Sequence, residues 1–240
     1  PIQGIDQVSY WTHRDALDNK EVPASLTIVG GGVIGMEFAS FFTSLGVQVT
    51  VVEMLDEILG GMDKELSAML RAEYAKKGIK FLLSTKVVGV SKGETGITVS
   101  YENADGAGTV TADKLLMSVG RRPVTKGFGL ENLNLEWTER RCIKVDEHLQ
   151  SSVPGVYVCG DLNGVSLLAH TAVREAEVAV HHITGKEDAM SYRAIPGVVY
   201  TNPEIAGVGM SEEALQAAGI PYRAVKLPMA YSGRFVAEDE

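Results

Sequence analysis

The stretch LTIVGGGVIGMEFAS, residues 26–40, constrains this chain more than any other. A short apolar run, Leu26 to Val29, enters a turn with glycine at positions 30, 32 and 35, and an apolar segment leaves it. Val33, Met36, Phe41 and Leu45 recur at roughly helical spacing until Gly46, which predicts a helix with a glycine stop. Val47 to Glu53 then alternates and is rich in β-branched residues, which completes a βαβ unit of about 30 residues. Gly30, Gly32 and Gly35 fit GxGxxG: the first glycine permits the tight turn, the second lets the backbone approach a pyrophosphate, and the third allows close packing of helix on strand. The helix N-terminus adds free N–H groups and about half a positive charge. Glu53, at the end of the second strand and 18 positions beyond Gly35, completes a dinucleotide fingerprint. A carboxylate there accepts from adenosine ribose hydroxyls and repels a 2′-phosphate. The following MLDEILGGMD holds no basic side chain before Lys64, so the pattern favours NAD over NADP. The bland alternative is a solvated glutamate at a strand end.

Composition sets outer limits. At 240 residues and 45% hydrophobic content the chain has material for one or two globular domains. No uncharged apolar run reaches the roughly 18 residues that a spanning helix needs, which argues against a membrane span. The first residues, PIQGIDQVSYWTHRD, lack the basic region and apolar core of a secretory signal, so the cytoplasm is the expected compartment. A net charge of −9 argues against nucleic acid as partner. The only basic pairs, Lys76-Lys77, Arg121-Arg122 and Arg140-Arg141, are short enough to be solvated faces. Cys142 and Cys159 form no disulfide framework or zinc pair, and His170, His181 and His182 have no partners at ligand spacing, so no metal is expected.

Along the chain, residues 1–23 are a polar connector with a capping box at Thr12 to Asp15. A second helix is expected over 63–77, with Leu66, Met69, Leu70 and Tyr74 on one face and a stop at Gly78, then a strand over 79–83. Short β-rich pieces over 86–90, 96–101 and 108–111 read as an antiparallel meander. Further strands are expected over 115–119 and 156–159, and a helix from Leu167 to the Gly185 stop. A third unit begins after Tyr192. Glu37, in the first turns of its helix, and Asp161, in a Gly-Asp turn, are each equally well explained by the helix dipole or by turn chemistry alone.

Together IVGGGVIGMEFASFF, the Glu53 strand end, SVGRRP, GVYVCGDLNG, LLAHTA and YTNPEIAGVGMSEE resemble the flavin-dependent pyridine nucleotide–disulfide oxidoreductases over nearly all of the chain. LLAHTA, YTNPEIAGVG and the SGR at 232–234 point to the members that oxidise protein-bound dihydrolipoamide. The resemblance implies an α/β chain: a connector over 1–23, a Rossmann-like NAD-binding domain with parallel sheet and β-meander over 24–120, a partial FAD domain over 121–190, and the start of an α+β interface domain over 191–240. It assigns Gly30, Gly32 and Gly35 to the NAD pyrophosphate, Glu53 to its ribose, Val87 to the adenine, Glu37 to the nicotinamide, and Gly120 to a backbone contact with the dinucleotide. Gly160 and Asp161 match the flavin ribitol turn, and Leu168 and Ala169 the backbone beside the isoalloxazine ring. NAD and FAD are the implied cofactors, and a lipoyl-bearing protein and a second copy in a homodimer the implied partners. The family passes electrons through a CxxxxC pair, holds FAD pyrophosphate on a first GxGxxG, and uses a His-Pro base; none of these occurs here. The expectation is therefore an internal fragment with no catalytic residue of its own, unable to retain FAD, and poorly anchored from residue 191 onward. A different disulfide reductase, an NADH oxidase or a stand-alone NAD-binding sensor are the alternatives.

Overall fold

The computed structural model describes residues 2–238. After α1 (His13–Asp18), the chain runs through β1 (Ser25–Val29), α2 (Val33–Ser44), β2 (Gln48–Val52), α3 (Lys64–Lys76) and β3 (Lys80–Leu82). A meander follows, β4 (Lys86–Gly93), β5 (Gly96–Asn103) and β6 (Gly106–Ala112), and then β7 (Lys114–Met117). The strands β3-β2-β1-β7 form one parallel sheet, and β4-β5-β6 a separate antiparallel one. Trp11 extends the β7 edge, donating to Leu115 O at 2.7 Å and accepting from Met117 N–H at 2.9 Å.

The central strand is buried on both faces, which is why Leu26, Ile28 and Val29 do not alternate with charged or exposed side chains. Leu26 and Ile28 pack with Val49, Val51 and Leu116 against Met36, Phe42, Leu70 and Tyr74 of α2 and α3. Val29 and Leu115 face the meander residues Val90, Ile97 and Val99. Thr12 and Asp15 form the expected capping box, and Asp63 caps α3 by accepting from Glu65 N–H at 3.0 Å. Both α2 and α3 end on a left-handed glycine, Gly46 at φ +82° and Gly78 at φ +97°. The next N–H reaches back to the last turn, Val47 to Phe42 O and Ile79 to Tyr74 O, a Schellman motif in each case.

Three expectations are corrected. On α2, Val33, Phe41 and Leu45 are exposed, and the buried stripe is Gly35, Met36, Ala39, Ser40 and Phe42. Close approach at Gly35 fixes which face of α2 meets the sheet, so Met36, Ala39, Ser40 and Phe42 turn inward and Phe41 and Leu45 do not. Phe41 and Leu45 instead line a cleft of about 430 Å³ beneath α1. On α3 only Leu70 and Tyr74 of the four expected apolar positions are buried. Residues 156–159 form no regular strand: Tyr157 bridges Gln150 alone, because the 149–151 segment offers a ladder of one residue.

Beyond α4 (Ala169–Ile183), the hairpin of β8 (Gly197–Val199) and β9 (Ile205–Gly207) is better anchored than expected. Val199 and Ile205 join the α2–α3 core, and Thr201 is buried beside them. The fully buried Tyr74 hydroxyl donates to Ser40 Oγ at 2.6 Å and accepts from Asn202 N–H at 3.1 Å, and Lys77 Nζ donates to Asn202 O at 2.7 Å. Further on, through α5 (Glu212–Ala217) and α6 (Gly233–Glu238), the large apolar side chains Met210, Tyr222, Val225, Leu227 and Tyr231 are exposed.

Two substitutions should move stability in opposite directions. Tyr74→Phe strands the buried Ser40 hydroxyl and removes the tie to the Asn202 backbone, and should cost about 1–3 kcal/mol. The Thr27 hydroxyl lies fully buried on the meander face with no hydrogen-bond partner, so Thr27→Val should stabilise by about 1 kcal/mol. Urea unfolding midpoints of the two variants against wild type measure both.

Candidate functional site

The sheet order puts β1 between β2 and β7, so the crevice past the carboxyl ends of β1 and β7 is a topological switch point, where open α/β sheets bind ligands. The glycine turn lies there. Gly30 adopts φ +105°, and a Cβ on it would overlap the Ser118 carbonyl oxygen just after β7. A Cβ on Gly35 would overlap the Gly30 carbonyl oxygen, so the first turn of α2 can lie on the strand end only with glycine at 35. At Gly32 the space for a side chain is empty to 4 Å. Gly32 is also the N-cap residue of α2 and supplies no side-chain cap. The N–H groups of Val33, Ile34 and Gly35 have no intrahelical acceptor, as in every first helical turn. Open space, uncapped donors and the positive end of the helix dipole coincide, which is what a pyrophosphate requires.

Glu53 closes the turn from the β2 side. Its Oε2 accepts from Gly31 N–H at 2.6 Å and its Oε1 from Leu55 N–H at 2.8 Å. The two bonds fix the carboxylate orientation and leave each oxygen a further lone pair for a ribose hydroxyl. Thr85 N–H donates to Glu53 O at 2.9 Å, which brings the start of β4, with half-buried Val87, to the same end of the sheet. Gly120, exposed at φ +114°, follows β7 toward the same crevice. Glu37 is engaged differently: its Oε1 accepts from Tyr200 N–H at 3.0 Å, tying the first turns of α2 to the hairpin segment.

The remaining expected residues form a second group. Gly160 and Asp161 lie in a 3-10 turn that packs on the start of α4, whose N-cap is Leu168 and first residue Ala169. Asp161 is exposed. Glu175 organises this group, and sequence reasoning missed it. It is fully buried on α4, and its two oxygens accept from Gly160 N–H and, at 2.8 Å, from the Tyr192 hydroxyl. Burial pushes the Cys159 thiol up, and the Glu175 charge adds to the effect. The Tyr192 phenol is raised by burial and then by Glu175. The available signal was an acid whose neighbours at helical spacing, Ala172, Val178 and Ala179, are apolar. Among the described residues, no three His, Cys, Asp or Glu side chains gather as a metal site. Nor is any helix long and apolar enough to cross a membrane.

Two outcomes test this geometry. Gly35→Ala should force α2 off the strand end and lower stability by about 2 kcal/mol or more, read by thermal unfolding. Cys159, with its thiol held protonated, should react with iodoacetamide at pH 8 about tenfold more slowly than a free cysteine peptide, read by mass spectrometry.

The chain matches the family model described as pyridine nucleotide-disulphide oxidoreductase over residues 1–176, and the dimerisation domain of the same family over 195–240. It is 39% identical over 222 residues to dihydrolipoyl dehydrogenase of Geobacillus stearothermophilus, covering 92% of this chain and 47% of that protein. To the mitochondrial dihydrolipoyl dehydrogenase of Homo sapiens it is 41% identical over 240 residues, 98% of this chain and 47% of that one. Among solved structures it superposes on the LpdA protein of Mycobacterium tuberculosis with TM-score 0.85 and 30% identity, covering 95% of this chain and 49% of the other. On the HOCl-induced flavoprotein disulfide reductase RclA of Escherichia coli the TM-score is 0.88 at 28% identity, covering 100% and 55%. The chain thus spans about half the length of the curated relatives it matches. With the glycine turn, the Glu53 strand end and the meander all in place, the chain belongs to the pyridine nucleotide–disulphide oxidoreductases.

Proposed function

We propose that this chain is the NAD-binding central part of a dihydrolipoyl dehydrogenase. The observation that carries the reading is the coincidence, at one switch point, of empty space at Gly32, the uncapped N-terminus of α2, and a carboxylate fixed by the turn itself. In this reading Gly30, Gly32 and Gly35 hold the pyrophosphate, Glu53 accepts from the adenosine ribose, Val87 lies beside the adenine, and Gly120 offers its backbone. Glu37 would reach the nicotinamide from the first turns of α2. The proposed division is a connector over 1–23, the NAD domain over 24–120, part of a flavin domain over 121–190, and interface-domain residues over 191–240.

The same reading gives residues 160–169 to FAD. The Asp161 carboxylate is exposed and forms no hydrogen bond within the described residues, which suits a ribitol acceptor. Leu168 and Ala169 offer the uncapped start of α4. When bound, FAD relays electron pairs from a thiol pair to NAD in such enzymes. This chain has one GxGxxG, already assigned to NAD, so in isolation it should bind NAD(H) and not retain FAD. The relatives' names support dihydrolipoamide as substrate of the whole enzyme, and the match to the dimerisation domain supports a homodimer; a lipoyl-bearing protein as carrier is part of the same proposal.

Calorimetric titration of the 240-residue chain with NADH and NADPH tests the reading. Saturable NADH binding is expected, with NADPH weaker by about tenfold or more, because its 2′-phosphate meets a fixed carboxylate. Glu53→Gln turns an amide N–H toward an N–H donor of the turn, and should weaken NADH about tenfold while leaving NADPH nearly unchanged. No binding of either nucleotide at millimolar concentration would overturn it.

A further inference from the structure

The loop joining β2 to α3, residues 54–62, contains no helix or strand, yet it closes over the glycine turn. The Leu59 N–H donates to Gly31 O at 2.8 Å, and Ile58 Cγ2 lies 3.1 Å from where a Gly31 Cβ would stand. Ile58 and Leu59 are each 1% exposed. On its far side the loop is held by an ion pair from α3. Arg71 Nε donates to Glu57 Oε1 at 2.8 Å and Nη2 to Oε2 at 2.9 Å, a two-pronged fork. Glu57 Oε1 also accepts from Ile58 N–H at 2.9 Å. The Glu57 side chain is 11% exposed and that of Arg71 33%. By contrast, the loop's other ion pair, Asp56 with Lys64, is well exposed on both sides and contributes little.

These contacts form one chain of cause. The planar guanidinium fixes both oxygens of Glu57, and Glu57 fixes the Ile58 N–H. Ile58 and Leu59 then hold Gly31, whose own N–H holds Glu53. A lysine could supply the charge but not the planar fork. The fork has a second consequence. A free guanidinium beside this loop would attract a 2′-phosphate, and Glu57 takes its Nε–Nη2 edge and offsets its charge.

We propose that Glu57 and Arg71 are positioning residues for the adenosine end of the dinucleotide, clamping residues 54–62 on the glycine turn and withholding Arg71 from a 2′-phosphate. This rests on the NAD reading above. Two measurements on the 240-residue chain separate the two. The first is amide hydrogen exchange without nucleotide in Arg71→Met and Arg71→Lys. Arg71→Met should speed exchange at Gly31 and Leu59 about tenfold, and Arg71→Lys by less, while the Val51 amide in the sheet keeps its wild-type rate. The second is the ratio of NADH to NADPH affinity. Glu57→Gln weakens the clamp and frees the guanidinium, so it should narrow the ratio about tenfold, and more than Arg71→Met, which leaves no guanidinium to free. Wild-type exchange at Gly31 and Leu59 in Arg71→Met overturns the clamp. An equal narrowing in Glu57→Gln and Arg71→Met overturns the withheld-arginine role. If wild type binds neither nucleotide, the NAD reading and the dinucleotide part of this proposal fall together, and the exchange result still decides the clamp.

Discussion

The contact of α2 with the end of β1 is the constraint on which the rest depends. With no side chain at Gly35, the Gly30 carbonyl oxygen can sit against the helix, and that distance sets where the helix N-terminus points. It also sets which α2 residues meet the sheet. Ala39 and Ser40 are small enough to follow Gly35 into the interface, and Phe42 fills the space below them. Had a larger residue stood at 35, the helix would lift off, the Met36 and Phe42 contacts with the core would open, and the uncapped donors would swing away from the crevice. Helix packing and phosphate recognition are thus one geometric fact seen from two sides.

How much of this could be read from residues alone depends on how local the cause is. The capping box at Thr12 and Asp15, the glycine stops at 46 and 78, and the paired strands of the meander are set within a few residues, and the sequence pattern places the caps directly and the strand ends to within three residues. The exposed face of α2 was illegible because a tally of apolar residues favours Phe41 and Leu45 as much as Phe42, whereas close approach at Gly35 decides which face meets the sheet. Residues 156–159 have the composition of a strand, but pairing belongs to the neighbour as much as to the segment. The turn glycines and Glu53 were legible as a motif. Glu57 with Arg71, and Glu175 with Gly160 and Tyr192, join positions 14 to 17 residues apart with no recurring spacing, so only three dimensions reveal them.

The two polar hubs differ in kind from the ion pairs on the surface. Glu175 is fully buried and forms no ion pair among the described residues; its oxygens are met by a backbone N–H and a phenol. Such an arrangement persists only if every lone pair facing the interior is used, since an unpaired buried carboxylate is costly. It therefore ties three separate segments, the Gly160 turn, α4 and the Tyr192 strand entry, to one position. The exposed pairs Lys76 with Glu73 and Lys144 with Glu136 carry no comparable obligation.

The anchoring of the β8–β9 hairpin follows from the same logic and gives α2 a second role. Ser40 and Glu37 lie one helical turn apart, so they share a face near the N-terminal half of the helix. Through them, α2 binds Asn202 by way of Tyr74 and Tyr200 directly, while its first turn presents donors to the crevice. The Tyr200 N–H takes only Oε1 of Glu37, so the other carboxylate oxygen keeps its acceptor sites. The glycine-turn end of the fold and the segment matched to the dimerisation domain are therefore joined through α2 and α3 together. Because interiors are close-packed, a shift of α2 at one end is felt at the other. The exposed apolar residues beyond 206 lie downstream of that joint, in a segment tied to the start of α3 by Lys226 with Glu65 and by Glu213, which accepts from Lys64 N–H.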